Sequence, residues 1–295
     1  MSSMMVFATL LVSLITSIQT PPMFSPPDQE TESKIQGHAN VEVFGDVGWL
    51  GPSQTASIIV LITPETGWHV YWKNPGASGA PTIIEIKAPE GYTIGEPIFP
   101  RPSTFRGPEG PTYGYSKPVA IFVPVTAPDT VDNGRVEFQV TTSWLACKKI
   151  CVMGEKEICF TYSVNAMQQG PLLRDKRTSR WAQLLPREIT DLENGDCRII
   201  GNLLHILGKS DLLPVRFIGI DKLGIQFGSP VYSNTVDEDG VFRLTIPLSL
   251  DYSPVDGESL TVEGLLLLGR KSEDPSYKVR VVATEGGEFS EHTGD

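Results

Sequence analysis

Apolar and polar residues alternate with a period of two through most of the chain. Val41 and Val43, then Ala56, Ile58, Val60 and Ile62, fall on every second position, the signature of strands with one buried face. Trp68, Val70 and Trp72 continue the pattern and set His69, Tyr71 and Lys73 on the opposite face, after which Asn74, Pro75 and Gly76 end the strand in a turn. Tryptophans at even spacing read as core. His69, standing alone, reads as a solvated or hydrogen-bonded side chain rather than a ligand. Ile84, Ile86 and Ala88 predict another strand, as do Ala120, Phe122 and Pro124. Between these two, residues 99–115 hold seven glycines and prolines, which predict an irregular segment carrying Phe105, Tyr113 and Tyr115.

After a turn at Asp132, Asn133 and Gly134 the alternation is at its clearest. Val136, Phe138, Val140 and Thr142 lead in, and Ile158, Phe160 and Tyr162 lead out. Between them stand Cys147 and Cys151, with Lys148, Lys149 and Ile150 in the gap. Along a straight strand, residues four apart are separated by about 13 Å, whereas a disulfide needs Cα atoms within about 7 Å. A straight strand is therefore excluded if the sulfurs meet. A turn at residues 148–150 or one helical turn remains, and the flanking alternation favours the turn, with both cysteines at a hairpin tip. The two lysines supply positive charge that favours thiolate over thiol. From the residues alone the pair is a redox site or a structural disulfide that staples the hairpin.

Beyond Tyr162 the strand pattern stops. Leu172, Leu173, Trp181, Leu184 and Leu185, with Arg174, Lys176, Arg177 and Arg180 between them, predict a short amphipathic connecting helix whose basic side faces solvent. Strands return over 198–207, 215–220, 241–250, 260–268 and 279–284. The expected organisation is all-β: a first domain over 38–165, a helical connector over 166–190, a second β-sandwich over 191–285 and a tail over 286–295. Cys159 and Cys197 remain, either as a bridge between the domains or as buried thiols that behave as small hydrophobes.

Length and composition sharpen this reading. At 295 residues the chain is long for one core, and 24 prolines and 28 glycines suit short strands and turns better than a helical bundle. A formal charge of −11 argues against a nucleic-acid partner. Residues 4–15, MMVFATLLVSLI, form an apolar run followed by polar residues and prolines, which predicts a signal peptide over 1–20, a lone membrane anchor being the competing reading. Residues 21–37, rich in proline and charge, predict a flexible lead-in. The expected location is extracytoplasmic, where disulfides persist. No nucleophile elbow or phosphate-binding motif is visible.

The order of GWHVYWKNPGASGAPT, a TFRG loop, TYGYSKPVAIFVPV and SWLACKKICVMGE resembles the extracytoplasmic amino-terminal domain of the DsbD-like and ScsB-like thiol-disulfide interchange family. The resemblance covers about residues 38–165, and a looser one links the second half to the second soluble segment of longer members. It implies an immunoglobulin-like fold in the first domain, with Cys147 and Cys151 as the redox pair. It further implies that Phe105, in the F-x-G of residues 105–107, caps the pair. Ser103 and Thr104 stand where the family carries acidic residues, so its proton handling does not transfer. Full-length members continue into a membrane carrier and a thioredoxin-like domain, neither of which is in this sequence. The implied partners are thus a thioredoxin-like or membrane-embedded thiol reductase in trans and periplasmic disulfide-bearing proteins, with no cofactor and no metal ligand assigned. Copper binding, or a non-catalytic binding module with a structural disulfide, is the alternative.

Overall fold

The computed structural model describes residues 36–168, 170–213, 215–220, 225–228, 231–233, 240–250 and 260–283. The expected signal peptide, nearly all of the lead-in and the tail lie outside these residues. Among the described residues no helix is long and apolar enough to cross a membrane.

The elements in chain order are β1 (Ala39–Gly45), β2 (Thr55–Pro64), β3 (His69–Gly76), β4 (Ile83–Lys87), β5 (Thr93–Ile94), β6 (Ser103–Gly107), β7 (Gly110–Tyr115), β8 (Val119–Thr126), β9 (Gly134–Cys147) and β10 (Cys151–Val164). There follow α1 (Lys176–Ala182), β11 (Arg187–Glu188), β12 (Asp196–Ile200), β13 (Leu203–Lys209), β14 (Val215–Gly219), β15 (Ile225–Phe227), β16 (Val231–Ser233), β17 (Val241–Leu250), β18 (Leu260–Leu268) and β19 (Ser276–Ala283).

The protein is an all-β sandwich of immunoglobulin-like kind. The first half pairs a sheet of order β1-β2-β8-β5 with one of order β10-β9-β3-β7-β6, in which β4 also pairs with β9. The second half pairs β11-β19-β18-β14 with β12-β13-β17-β15, where β16 also pairs with β17. The alternation read from the sequence fills the first core: Ile58, Val60, Ile62, Val70, Trp72, Phe138, Val140, Trp144 and Tyr162 are all buried. Tyr162 ties the two sheets of this half together, its hydroxyl donating to the Ser57 carbonyl at 2.5 Å and accepting from the Asp46 amide at 3.2 Å. Asp46, 1 % exposed, also accepts from the Ser57 amide and pairs with Arg174 ahead of α1.

Three local expectations are corrected. Residues 99–115 are not irregular throughout, because β6 and β7 form a hairpin in which Arg106 faces Pro111 and Gly107 faces Gly110. Gly110 makes the turn at φ 136, β6 itself holds no proline, and Pro111 stands at the start of β7, outside its ladder with β3. Residues 198–207 are two strands, since Gly201 at φ 61 turns β12 back onto β13. The strand from His69 does not end before Asn74 but runs to Gly76, with an irregular register against β7 between Tyr71 and Gly76.

The halves meet through β14 and β18. Leu266 and Leu268 point into the second core, while Leu265 and Leu267 join the first. Both faces of β18 are thus covered, which accounts for its unbroken apolar run. Asn74 donates to the Gly219 carbonyl at 2.6 Å, and Arg216 reaches the Thr104 hydroxyl at 3.5 Å, beside Phe105.

Candidate redox site

The site is the tip of the β9–β10 hairpin. The two strands pair in continuous register from Gly134 opposite Val164 to Cys147 opposite Cys151. Residues 148–150 close the turn, with the Lys148 amide donating to the Ile150 carbonyl at 3.0 Å. Cys147 and Cys151 form a disulfide with their Cα atoms 4.2 Å apart. The hairpin brings together what the spacing alone left open.

The two sulfurs sit in different surroundings. Cys147 is 4 % exposed, whereas Cys151 lies at the surface. Of the two sulfur-bearing residues, Cys151 is therefore the one open to solvent. Ile150 and Met153, 66 % and 62 % exposed, flank it as apolar surface. Lys148 and Lys149 are exposed on the turn, and the Lys148 ammonium lies 3.5 Å from the Thr66 carbonyl. Beneath the tip, Trp144 is buried against Gly154, where a side chain would strike the indole ring, and its N–H donates to the Gly37 carbonyl at 2.9 Å.

A residue that the sequence left aside stands beside the pair. β3 runs antiparallel to β9, with His69 directly opposite Cys147 and Val70 opposite Ala146. Residues opposite each other in an antiparallel pair project to the same face. Val70 and Ala146 fill the core, so His69 and Cys147 share the outer face. Phe105 stacks flat on His69, ring centroids 4.3 Å apart at 17°. Tyr71 meets the same ring edge-on at 5.3 Å. Burial lowers the His69 pKa below its usual 6.5, so the ring is neutral at pH 7. Phe105 therefore reaches the site by covering His69. The β3–β9 register was the missing signal.

The remaining thiols are not joined. Cys159 is exposed rather than buried, and Cys197 is partly buried, its thiol pushed up to about 11 by burial. Among the described residues no group of three or more His, Cys, Asp and Glu is placed to hold a metal ion. A cleft of about 680 Å³ between the halves, lined by Trp72, Lys73, Glu96, Glu263 and Lys278 among others, includes neither cysteine of the pair.

Residues 41–162 match the family model described as thiol:disulfide interchange protein DsbD, N-terminal. The first half of this chain is a DsbD-like N-terminal domain, and it carries a disulfide. Among solved structures the chain is similar to the N-terminal periplasmic domain of ScsB from Proteus mirabilis, with a TM-score of 0.53 and 15% identity over 89% of this chain and 97% of that one. At that identity the likeness is one of fold, and it spans both halves. The major pilin subunit BcpA of Bacillus cereus aligns at a TM-score of 0.29 and 10% identity over 84% of this chain and 67% of that one, too low to carry an argument. No curated protein matches the chain.

Proposed function

We propose that this protein is an extracytoplasmic thiol-disulfide exchange protein in which Cys147 and Cys151 alternate between disulfide and dithiol. The observation that carries the reading is a disulfide at a hairpin tip, with one sulfur buried and one exposed, inside a DsbD-like N-terminal domain. In the oxidising direction the Cys151 thiolate attacks a partner disulfide and expels one partner thiolate. Cys147 then attacks Cys151 in the mixed disulfide and expels the second. Two electrons pass to the partner, and the pair is left oxidised. The reverse sequence reloads it from a thioredoxin-like or membrane-embedded thiol reductase, and the acceptors are periplasmic disulfide-bearing proteins. Phe105 acts as the cap, and Lys148 and Lys149 favour the thiolate. We place the domains at 38–165 and 191–285 with 166–190 as connector; each has an apolar core of its own, and Ile218, Leu265 and Leu267 of the second pack into the first.

The test is the reduction potential of the pair, measured by equilibration with glutathione and thioredoxin buffers. Structural disulfides lie below about −300 mV, whereas thioredoxin-like carriers range upward from about −270 mV. A value in the carrier range, with reduction by a thioredoxin-like protein, is the expected result. A value far below about −300 mV with no such reduction makes the disulfide a staple.

A further inference from the structure

The exchange chemistry proposed above asks more of Cys147 than of Cys151. Cys151 is exposed and meets water, so its proton leaves to solvent. Cys147 is 4 % exposed, and burial favours the neutral thiol over the charged thiolate. The thiolate is the nucleophile, so closing the disulfide requires a nearby group to take that proton.

His69 stands where such a group is needed. It faces Cys147 across the β3–β9 pair on the same side of the sheet. Phe105 stacks on its ring and Tyr71 meets it edge-on, so its orientation is set by packing. Of the titratable groups around it, Tyr71 keeps its proton far into the alkaline range, its pKa raised by burial. Cys147 comes from β9, the Lys148 ammonium follows at the turn, and β6 contributes the uncharged Phe105. Among the described residues burial is the cause that shifts this imidazole, and no carboxylate acts to hold it charged.

We propose that His69 is the general base for Cys147 in the resolving step. After Cys151 has formed a mixed disulfide, a ring nitrogen of neutral His69 takes the Cys147 thiol proton. The Cys147 thiolate attacks the Cys151 sulfur, the Cys147–Cys151 bond forms, and the bond from Cys151 to the partner breaks. The partner sulfur leaves as a thiolate with the electron pair, and imidazolium His69 passes its proton to that sulfur or to water. In the reverse direction the same imidazolium protonates Cys147 as it leaves. The flat stack gives Phe105 a second effect, since it shields the base as well as the pair. This inference rests on the exchange reading.

The experiment follows resolution of the glutathione mixed disulfide in the reduced protein, quenched with acid and read by mass, from pH 5 to 10. In the wild type the resolving rate should rise through an inflection below pH 6.5 and then stay level into the thiol range. His69→Phe keeps an aromatic ring against Phe105 but removes both nitrogens, and His69→Gln serves as the second variant. Either should lose the plateau, resolve about a hundredfold more slowly at pH 7, and converge on the wild type at high pH, where hydroxide does the same work. A wild-type rate that climbs with hydroxide across the whole range overturns the inference, whatever the variants do. A variant slowed by one factor at every pH does so too, since that marks a steric role. If glutathione disulfide never oxidises the pair at any pH, it is the exchange reading that has failed.

Discussion

Arg101 and Leu268, 167 residues apart in the chain, are joined by a buried hydrogen bond from the guanidinium to the backbone carbonyl. The same side chain donates to Gly269 at 2.9 Å and, at 3.3 Å, to Asp274 and Pro275. Arg101 lies shortly before β6, so it fastens the segment leading to Phe105 onto the β18–β19 turn. Replacing it by methionine keeps the apolar stem but removes the guanidinium donor from the Leu268 and Gly269 carbonyls, while the Pro275 carbonyl keeps the Leu268 amide at 3.2 Å. Arg101→Met should lower stability by about 2–4 kcal/mol, measured by urea unfolding. A change under about 0.5 kcal/mol would mean that the contact is dispensable.

Phe105 covers His69 with its ring face, and that ring stands on the Cys147 side of the sheet. Phe105→Ala should speed alkylation of the reduced pair severalfold while leaving near-ultraviolet circular dichroism intact. Unchanged alkylation would remove Phe105 from the control of access.

Lys148 and Lys149 flank the turn between the cysteines and are exposed. On the exchange reading, positive charge there would stabilise the thiolate, hence the reduced form, and raise the reduction potential. The double variant Lys148→Glu, Lys149→Glu should move the potential to more negative values, by less at high salt because exposed charges are screened. A shift of the opposite sign, or one indifferent to salt, would show that these lysines do not act through charge.

Burial raises the pKa of the hydroxyls of Tyr162 and Tyr115 above the usual 10. Below pH 10 both are protonated in either state, so they contribute no pH dependence there. Above it the unfolded chain releases protons that the folded one keeps, and stability falls. Each tyrosine contributes a slope of about 1.4 kcal/mol per pH unit in that window. Tyr115→Phe and Tyr162→Phe should each flatten the alkaline limb of stability against pH, although each also loses hydrogen bonds and starts from a lower neutral value. An alkaline limb identical to the wild type would place the loss elsewhere.

Much of the first sandwich was legible because strand patterning is local. Whether Val140 or Thr141 faces the core follows from the backbone pleat and the residues beside it. The β9–β10 hairpin was legible for the same reason, its strands being joined by three residues whose turn fixes the register. The disulfide follows from that register, and so the pairing of Cys147 with Cys151 could be read from spacing and a short resemblance.

What the sequence did not determine depends on pairings between distant segments. Residues 99–115 looked irregular because glycine and proline disfavour strands on average, but the prolines fall outside β6 and outside the β3–β7 ladder, and that placement is a property of the sheet. Leu265 to Leu268 lost its alternation because one face of β18 meets the second core and the other the first. His69 was one polar residue on an alternating strand, indistinguishable from a solvated one. Only the pairing of β3 with β9 set it opposite Cys147, and only the fold of β6 over β7 laid Phe105 on its ring. The cysteine pair was therefore written in the sequence, because a hairpin is local. The histidine beside it was decided by tertiary structure, because register between strands far apart in the chain is set by the packing of the whole sheet.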